Sequence, residues 1–168
     1  VLHQIGSHGP SYWLRYPEDQ EVFAPACKSP ELTQCTTEEI VNAYDNTIRY
    51  SDRFLAEVID LLEASDRVAG AMYYVSDHGE SLGENGIYLH GTPMFMAPEV
   101  QYKVPMVVWT SAAWREGMQV DQGCLAARAA APVSHDHLFS TVLGMMDIAT
   151  ETRDVALDLV QGCAAPPS

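Results

Sequence analysis

A thirty-residue amphipathic stretch, residues 36–65, is the feature that most constrains the fold of this chain. It opens on a Thr-x-x-Glu capping box, Thr36 to Glu39, which marks a helix start. Apolar or small residues then recur at steps of three and four, at Ile40, Tyr44, Ile48, Ser51, Leu55, Val58 and Leu62. This spacing predicts one long helix that must bury one face.

Two short apolar runs accompany this helix: AMYYV at 71–75 and VPMVVWT at 104–110. Both are apolar on successive residues, as is typical of strands covered on two faces. A second helix is predicted from Ser134, with that serine as its N-cap. Its expected apolar face is Leu138, Val142 and Met145 or Met146. Together these elements predict an α/β fold with helices lying on a sheet.

Composition excludes several classes of partner. The chain has 168 residues, of which 47% are hydrophobic, enough for one ordinary core. Its net charge of −14 argues against a nucleic-acid or anionic-membrane surface, because both partners call for a basic face. No run of about 18 apolar residues and no signal-peptide pattern is present, so we expect the chain itself to be soluble.

Four cysteines give an even count without the density of a disulfide scaffold. Cys27 and Cys35 bracket a polar loop, and a local disulfide fits them; two reduced thiols are the alternative. Neither has the CxxC spacing of a redox or zinc site. Cys124 and Cys163 have no local partner and could pair only with each other.

The densest set of potential ligands lies in YYVSDHGESLGENGIYLHG, residues 73–91. Asp77 and His78 directly follow the first predicted strand, and ligands of open α/β sheets gather outside the carboxyl ends of strands. Both side chains can reach one metal only if the chain leaves β geometry, which Gly79 would permit. A carboxylate and an imidazole suit zinc, so the pair predicts part of a catalytic zinc site. A capped turn with a surface histidine is the alternative.

The string SHGP near the start is a second turn that presents a histidine, His8, after a strand-like entry. We expect His8 to lie beside the Asp-His pair. His3, within the entry, is predicted to be a packed strand residue. His135 and His137 lie two apart on the first turn of a helix and face different directions, so we predict a structural role for them.

Four strings together carry a family resemblance: SDHGESLGENGIYLHG, IGSHGPSYWLRYP, YDNTIRYSD and SHDHLF. They resemble the C-terminal half of the catalytic domain of phosphoethanolamine transferases, inner-membrane enzymes that decorate lipid A and confer polymyxin and colistin resistance. The resemblance covers most of residues 1–148. It implies a three-layer αβα sandwich of the alkaline phosphatase and sulfatase type. Residues 1–168 would form the C-terminal part of that domain, with 160–168 a flexible tail.

The resemblance also implies roles for single residues. Asp77 and His78 match ligands of the catalytic zinc. His8 and His90 match catalytic, substrate-binding histidines that line the phosphate pocket and can hold a second zinc. Cys27 and Cys35 match one of the family's periplasmic disulfides.

Glu80, Glu84 and His137 are three further polar residues of the strings that carry the resemblance. Glu80 and Glu84 are tempting as bases, but a carboxylate pointed at a phosphodiester would repel it. We therefore predict that they support the site or its turns. His137 stands where the family usually has asparagine, at a position that we do not expect to be catalytic.

By resemblance, the whole enzyme takes phosphoethanolamine from phosphatidylethanolamine onto a threonine, releases diacylglycerol, and passes the group to a phosphate of lipid A. It would do so at the periplasmic face of the bacterial inner membrane. In the family the threonine, a glutamate ligand of zinc and the membrane segment all precede the position of VLHQIG. The chain, which opens without methionine, is therefore expected to be an inactive piece of a longer protein.

Two alternative functions follow from the same residues. One is another enzyme of the alkaline phosphatase superfamily, a sulfatase or a phosphoglycerol transferase. The other is a non-catalytic remnant.

Overall fold

A computed structural model of the chain describes residues 1–65 and 67–163. These residues form two compact units. The first unit comprises Val1–Val58 and Ser76–Pro105, and the second comprises Ile59–Val75 and the described part of Met106–Ser168.

The described residues contain α-helices, strands and short 3-10 turns. The helices are α1 (Thr37–Glu63), α2 (Ala112–Met118), α3 (Gln122–Arg128) and α4 (His137–Met145). The strands are β1 (Ala71–Val75), β2 (Ser81–Leu82), β3 (Tyr88–Leu89) and β4 (Met106–Thr110). The 3-10 turns are Tyr12–Leu14, Glu18–Gln20, Leu32–Gln34, Glu84–Gly86, Glu99–Gln101 and Val155–Leu157. None of the described helices is long and apolar enough to cross a membrane.

The long helix begins where the capping box predicts. The backbone N–H of Glu39 donates to the Thr36 hydroxyl over 3.2 Å, and the Thr36 N–H donates to the Glu39 carboxylate over 2.7 Å. Two of the helix's orphan N-terminal groups are thereby satisfied. The predicted helix is confirmed from its first turn.

The buried face of α1 is shifted from the predicted one. Ile40 is buried as expected, but Ile48 is 46% exposed, while Asn46 and Thr47 are fully buried. The Asn46 amide accepts from the N–H groups of Val22 and Phe23 and donates to the Phe23 carbonyl. Asn46 thus satisfies backbone groups of the loop at residues 22 and 23. Apolar periodicity cannot identify a buried polar residue of this kind.

The first unit's core lies where α1 meets the loop before it. Its buried members are Tyr12, Ala26, Cys27, Leu32, Ile40 and Ala43. Cys27 and Cys35 form a disulfide in this core. Leu82 of β2 and Leu89 of β3 pack against the same cluster.

In the second unit β1 pairs antiparallel with β4, from Ala71 opposite Thr110 to Val75 opposite Met106. Both predicted strands are confirmed, the second beginning at residue 106 rather than 104. The expectation that both faces are covered is wrong for Val107 and Val108, which are 39% and 37% exposed. No described element packs over those two side chains closely enough to bury them.

The second unit's core contains Trp114, Val120, Met145, Val160 and Cys163. Cys124 and Cys163 form a disulfide, the only pairing that the sequence left open to them. Val160 and Cys163 lie in the stretch expected to be a flexible tail, yet both are buried. Residues 164–168 lie outside the described residues.

The sequence did not predict α2 and α3, whose starts are capped by the side chains of Ser111 and Asp121.

Two predictions, on the start of the second predicted helix and on the strand at the start of the chain, are wrong. Helix α4 begins at His137, because the Ser134 hydroxyl accepts from the Asp136 N–H in a local turn and does not cap the helix. Val1 and Leu2 are exposed and form no strand, since no described segment pairs with residues 1–5.

Candidate metal and phosphate site

The candidate site lies in the first unit, on the loops that follow residues 7 and 76. The Ser76 hydroxyl donates to the His78 carbonyl over 2.7 Å and closes a tight turn around Asp77. The N–H of Gly79 then donates to the carbonyl of Gln101 over 2.9 Å. A turn, rather than continued β geometry, therefore presents Asp77 and His78.

The structure brings three predicted histidines together: His8, His78 and His90. The rings of His78 and His90 stack with centroids 3.9 Å apart, and the His8 ring meets His90 edge-on at 4.8 Å. One ring nitrogen from each of the three lies within 4.8 Å of the others. Residues 82 positions apart in the chain thus share one cluster that could hold a metal ion.

Each of the three imidazoles has its Nδ1 atom occupied. The Nδ1 of His8 lies 2.8 Å from the carbonyl of Gly9, and that of His78 lies 2.9 Å from the carbonyl of Gly79. A carbonyl only accepts, so both Nδ1 atoms carry the proton. The Nδ1 of His90 contacts the Glu80 carboxylate in the same way. In the neutral rings, the Nε2 lone pairs are therefore the ones left to bind a metal or take a proton.

Glu80 is the buried support of this cluster. Its side chain is 3% exposed, against 30% for His90. One carboxylate oxygen contacts His90 Nδ1, and the other accepts from the Tyr12 hydroxyl over 2.7 Å. Burial, together with the neighbouring Glu80 carboxylate, raises the pKa of Tyr12 well above its usual range, so the hydroxyl remains a donor.

Asp77 is placed differently from the three histidines. Its side chain is 85% exposed, and its Oδ2 lies 4.0 Å from His78 Nε2. It does not belong to the three-histidine group. Its carboxylate nevertheless lies on the same side as the Nε2 atom of His78.

A hydrogen-bond network around Gln101 fixes the loop that carries His90. The Gln101 amide donates to the Ser81 hydroxyl over 2.8 Å and to the Thr92 hydroxyl over 3.2 Å. Its oxygen accepts from the Thr92 N–H over 3.3 Å. Because Ser81 and Gln101 are buried, this network holds the segment after His90 against the base of the site.

Other predicted positions lie outside the cluster. Glu84 accepts from the Leu82 N–H over 2.7 Å, in the turn position expected of it. His3 is exposed, so its prediction as a packed strand residue is wrong, for want of a strand to pack in. His137 contacts Ser134 at the start of α4.

Sequence reasoning missed Tyr12 and Gln101. Tyr12 reaches Glu80 across 68 residues, and Gln101 reaches Ser81 across 20. Tyr12 lies within IGSHGPSYWLRYP, one of the strings that carry the family resemblance, but no spacing there pairs it with Glu80, and Gln101 lies outside those strings.

The family is established by a family model described as Sulfatase, which matches residues 1–148. The chain therefore belongs to the sulfatase family. The predicted fold class, an α/β domain of the alkaline phosphatase and sulfatase type present in part, is confirmed.

The chain is similar to three phosphoethanolamine transferases. It is 48% identical over 165 residues to phosphoethanolamine transferase EptA of Escherichia coli K12, covering 97% of this chain and 30% of EptA. It is 36% identical to Kdo(2)-lipid A phosphoethanolamine 7''-transferase of the same strain, covering 87% of this chain and 26% of that protein. The soluble domain of lipooligosaccharide phosphoethanolamine transferase A from Neisseria meningitidis superposes with a TM-score of 0.94 at 48% identity. That match covers 99% of this chain and 50% of the solved one.

These matches confirm the resemblance to phosphoethanolamine transferases. The chain spans about 30% of the length of the EptA relatives. The similarity covers only this part of those enzymes.

Proposed function

We propose that this chain is part of a phosphoethanolamine transferase that moves phosphoethanolamine from phosphatidylethanolamine to lipid A, at the periplasmic face of the inner membrane. The observation that carries the proposal is the cluster of His8, His78 and His90, each with its Nδ1 engaged by a carbonyl or carboxylate oxygen. The names of the relatives supply the reaction, and the two disulfides suit an oxidising compartment.

Zinc is the metal that the donor set fits. Neutral imidazole nitrogens and a carboxylate are its usual protein ligands, with bonds near 2.0 to 2.2 Å. Asp77 Oδ2 lies 4.0 Å from His78 Nε2, and a small rotation of the exposed Asp77 side chain would let both atoms bind one ion, with a ring nitrogen each of His8 and His90 close to His78. A bound zinc would lower the pKa of a coordinated hydroxyl and neutralise charge on the transferring phosphoryl group.

The reaction proceeds in two balanced substitutions at phosphorus. A threonine hydroxyl from a part of the enzyme upstream of this chain attacks the phosphorus of phosphatidylethanolamine. The bond to the glycerol oxygen breaks, and diacylglycerol leaves with the proton that the threonine loses. A phosphate oxygen of lipid A then attacks the same phosphorus, the bond to the threonine oxygen breaks, and that oxygen takes a proton from a protonated histidine of the site, which regenerates the threonine hydroxyl.

In this proposal His8 and His90 handle protons and phosphate oxygens. With Nδ1–H held by Gly9 and Glu80, each neutral ring whose Nε2 holds no metal can accept a proton there. Once protonated, the same Nε2–H can donate to a phosphate oxygen or to the departing alkoxide. Both steps need the rings to stay in one tautomer.

A transfer assay with a longer protein, carrying this chain together with its upstream nucleophile, tests the proposal. Fluorescent phosphatidylethanolamine and lipid A should give labelled lipid A and diacylglycerol. His78→Ala should abolish transfer without lowering the melting temperature by more than a few degrees. His137→Ala, which removes an imidazole in the second unit, is the matched control and should keep activity.

A sulfatase is the second candidate, because the matching family model carries that name. Release of sulfate from an aryl sulfate, with no labelled lipid A, would overturn the transferase proposal in favour of it. The 168-residue chain alone should show neither activity. If it turned substrate over without the upstream segment, the assignment of the nucleophile would be wrong.

A further inference from the structure

Tyr12 is a buried residue to which the proposed reaction assigns no role. It lies in the first 3-10 turn, four residues after His8, and its side chain is 1% exposed. Its ring packs edge-on against Tyr44 at 5.5 Å between centroids. Packing alone would be served equally well by phenylalanine, so the hydroxyl calls for a separate explanation.

The hydroxyl donates to Glu80, and Glu80 in turn holds a site residue. It donates over 2.7 Å to one oxygen of Glu80, whose other oxygen receives His90 Nδ1. A buried carboxylate with only one hydrogen-bond donor would leave an oxygen unsatisfied, which has a free-energy cost. Tyr12 removes that cost and fixes the rotation of the carboxylate that faces His90.

The same pair also meets the loop of His8. A β-carbon on Gly9 would lie 2.7 Å from the Tyr12 hydroxyl oxygen and 2.8 Å from Glu80 Oε2. The backbone of Gly9, whose carbonyl orients His8, therefore packs directly on the Tyr12–Glu80 pair. One buried contact thus underlies two of the three imidazoles.

We propose that Tyr12 is a positioning residue: through Glu80 it holds His90 in the Nδ1–H tautomer, which leaves the lone pair on Nε2. A free neutral imidazole exchanges between tautomers, and only the Nδ1–H form leaves Nε2 able to bind a metal or accept a proton. Outer partners of metal-binding histidines typically change metal affinity by about 10- to 100-fold when removed. Tyr12 acts one bond further out, so we expect an effect near the lower end.

The test uses the 168-residue chain with Tyr12→Phe, which keeps the ring and removes only the hydroxyl. Nitrogen-15 shifts of the His90 ring in the zinc-free chain should show one tautomer in the wild type and a mixture in the variant. Zinc affinity, measured by competition with a chromophoric chelator, should fall about tenfold. Tyr16→Phe is the matched control, because it removes another buried tyrosine hydroxyl, bonded to Glu21 away from the cluster.

A second variant keeps the test decisive if Tyr12→Phe fails to fold. Glu80→Gln has nearly the same shape but offers one acceptor oxygen for two donors, Tyr12 and His90. It should therefore release the His90 tautomer as well. An unchanged His90 spectrum and unchanged zinc affinity in either folded variant would overturn the inference.

The inference relies on the proposed function only for the use of His90 at the site. Its first readout is a tautomer in the absence of metal and substrate. If the longer protein failed to transfer phosphoethanolamine while the tautomer still shifted, the proposed function would be wrong and the role of Tyr12 would stand.

Discussion

The backbone of Gly79 lies so close to the carbonyl of Val100 that a β-carbon at position 79 would overlap that oxygen. The Gly79 N–H also donates to the neighbouring Gln101 carbonyl over 2.9 Å. Because Gly79 directly follows His78, the close approach sets where the His78 ring stands. The sequence suggested that this glycine frees the backbone from β geometry. The structure shows that the lack of a side chain is what the position requires.

Gly79→Ala should therefore destabilise the chain by about 2 to 3 kcal/mol, since the clash is with backbone and cannot be relieved by a rotamer change. Urea unfolding measures the effect. Gly117→Ala is the matched control, because a β-carbon there meets nothing within 4 Å and the residue lies inside α2. It should be neutral or stabilising by up to about 1 kcal/mol. Equal effects of the two substitutions would contradict the packing argument.

The two disulfides should differ in their contribution to stability. Cys27 and Cys35 close a loop of 8 residues, and Cys124 and Cys163 close one of 39. In the chain-entropy picture these loops are worth roughly 2.5 and roughly 4 kcal/mol. Replacing each pair by alanine and comparing the free energies of unfolding should show the larger loss for the longer loop. Peptide mapping without reductant should find these two pairs, and free thiols in exported protein would refute them.

The sequence predicted the elements better than it predicted the site. Capping and periodicity act over three or four residues, so α1, β1 and β4 could be located from local patterns. The cluster of His8 with His90 depends on contacts between distant segments, and only the family resemblance proposed it. Tyr12 lies in a string that carries the family resemblance, but no spacing predicts the contacts of Tyr12 or Gln101, because Glu80 and Ser81 are 68 and 20 residues away from them. Asn46 was hidden for the opposite reason: its burial on an apolar face breaks the pattern used to find that face.

The capping box makes a pH-dependent contribution to the free energy of unfolding, through Glu39 at the start of α1. Hydrogen bonds from the backbone and hydroxyl of Thr36 lower the pKa of Glu39. A carboxyl whose pKa is lowered by folding stabilises the protein above its unfolded pKa, and this contribution is lost as pH falls through the folded pKa. Wild-type stability should therefore fall more steeply than that of Glu39→Gln between about pH 5 and about pH 3. Parallel pH profiles would show that the box does not form in solution.

Thr36→Ala tests the same box from its other side. It removes the hydroxyl that accepts from the Glu39 N–H and should cost about 1 kcal/mol at neutral pH. Thr37→Ala, one residue later and already helical, serves as the control and should change stability by only a few tenths. Chemical unfolding of both variants at pH 7 gives the comparison, and equal losses would argue against a cap at Thr36.

Zinc titration of the 168-residue chain tests the histidine cluster directly. We expect binding that depends on all three imidazoles, because each has Nδ1 occupied and one ring nitrogen from each lies within 4.8 Å of the others. His8→Ala, His78→Ala and His90→Ala should each weaken binding at least about tenfold, since losing a ligand costs no less than losing its outer partner. His135→Ala removes an imidazole from the second unit and should leave the affinity unchanged. A chain that bound zinc equally well in all five forms would place the metal elsewhere, and the exposed Asp77 carboxylate would then have no ion to share with His78.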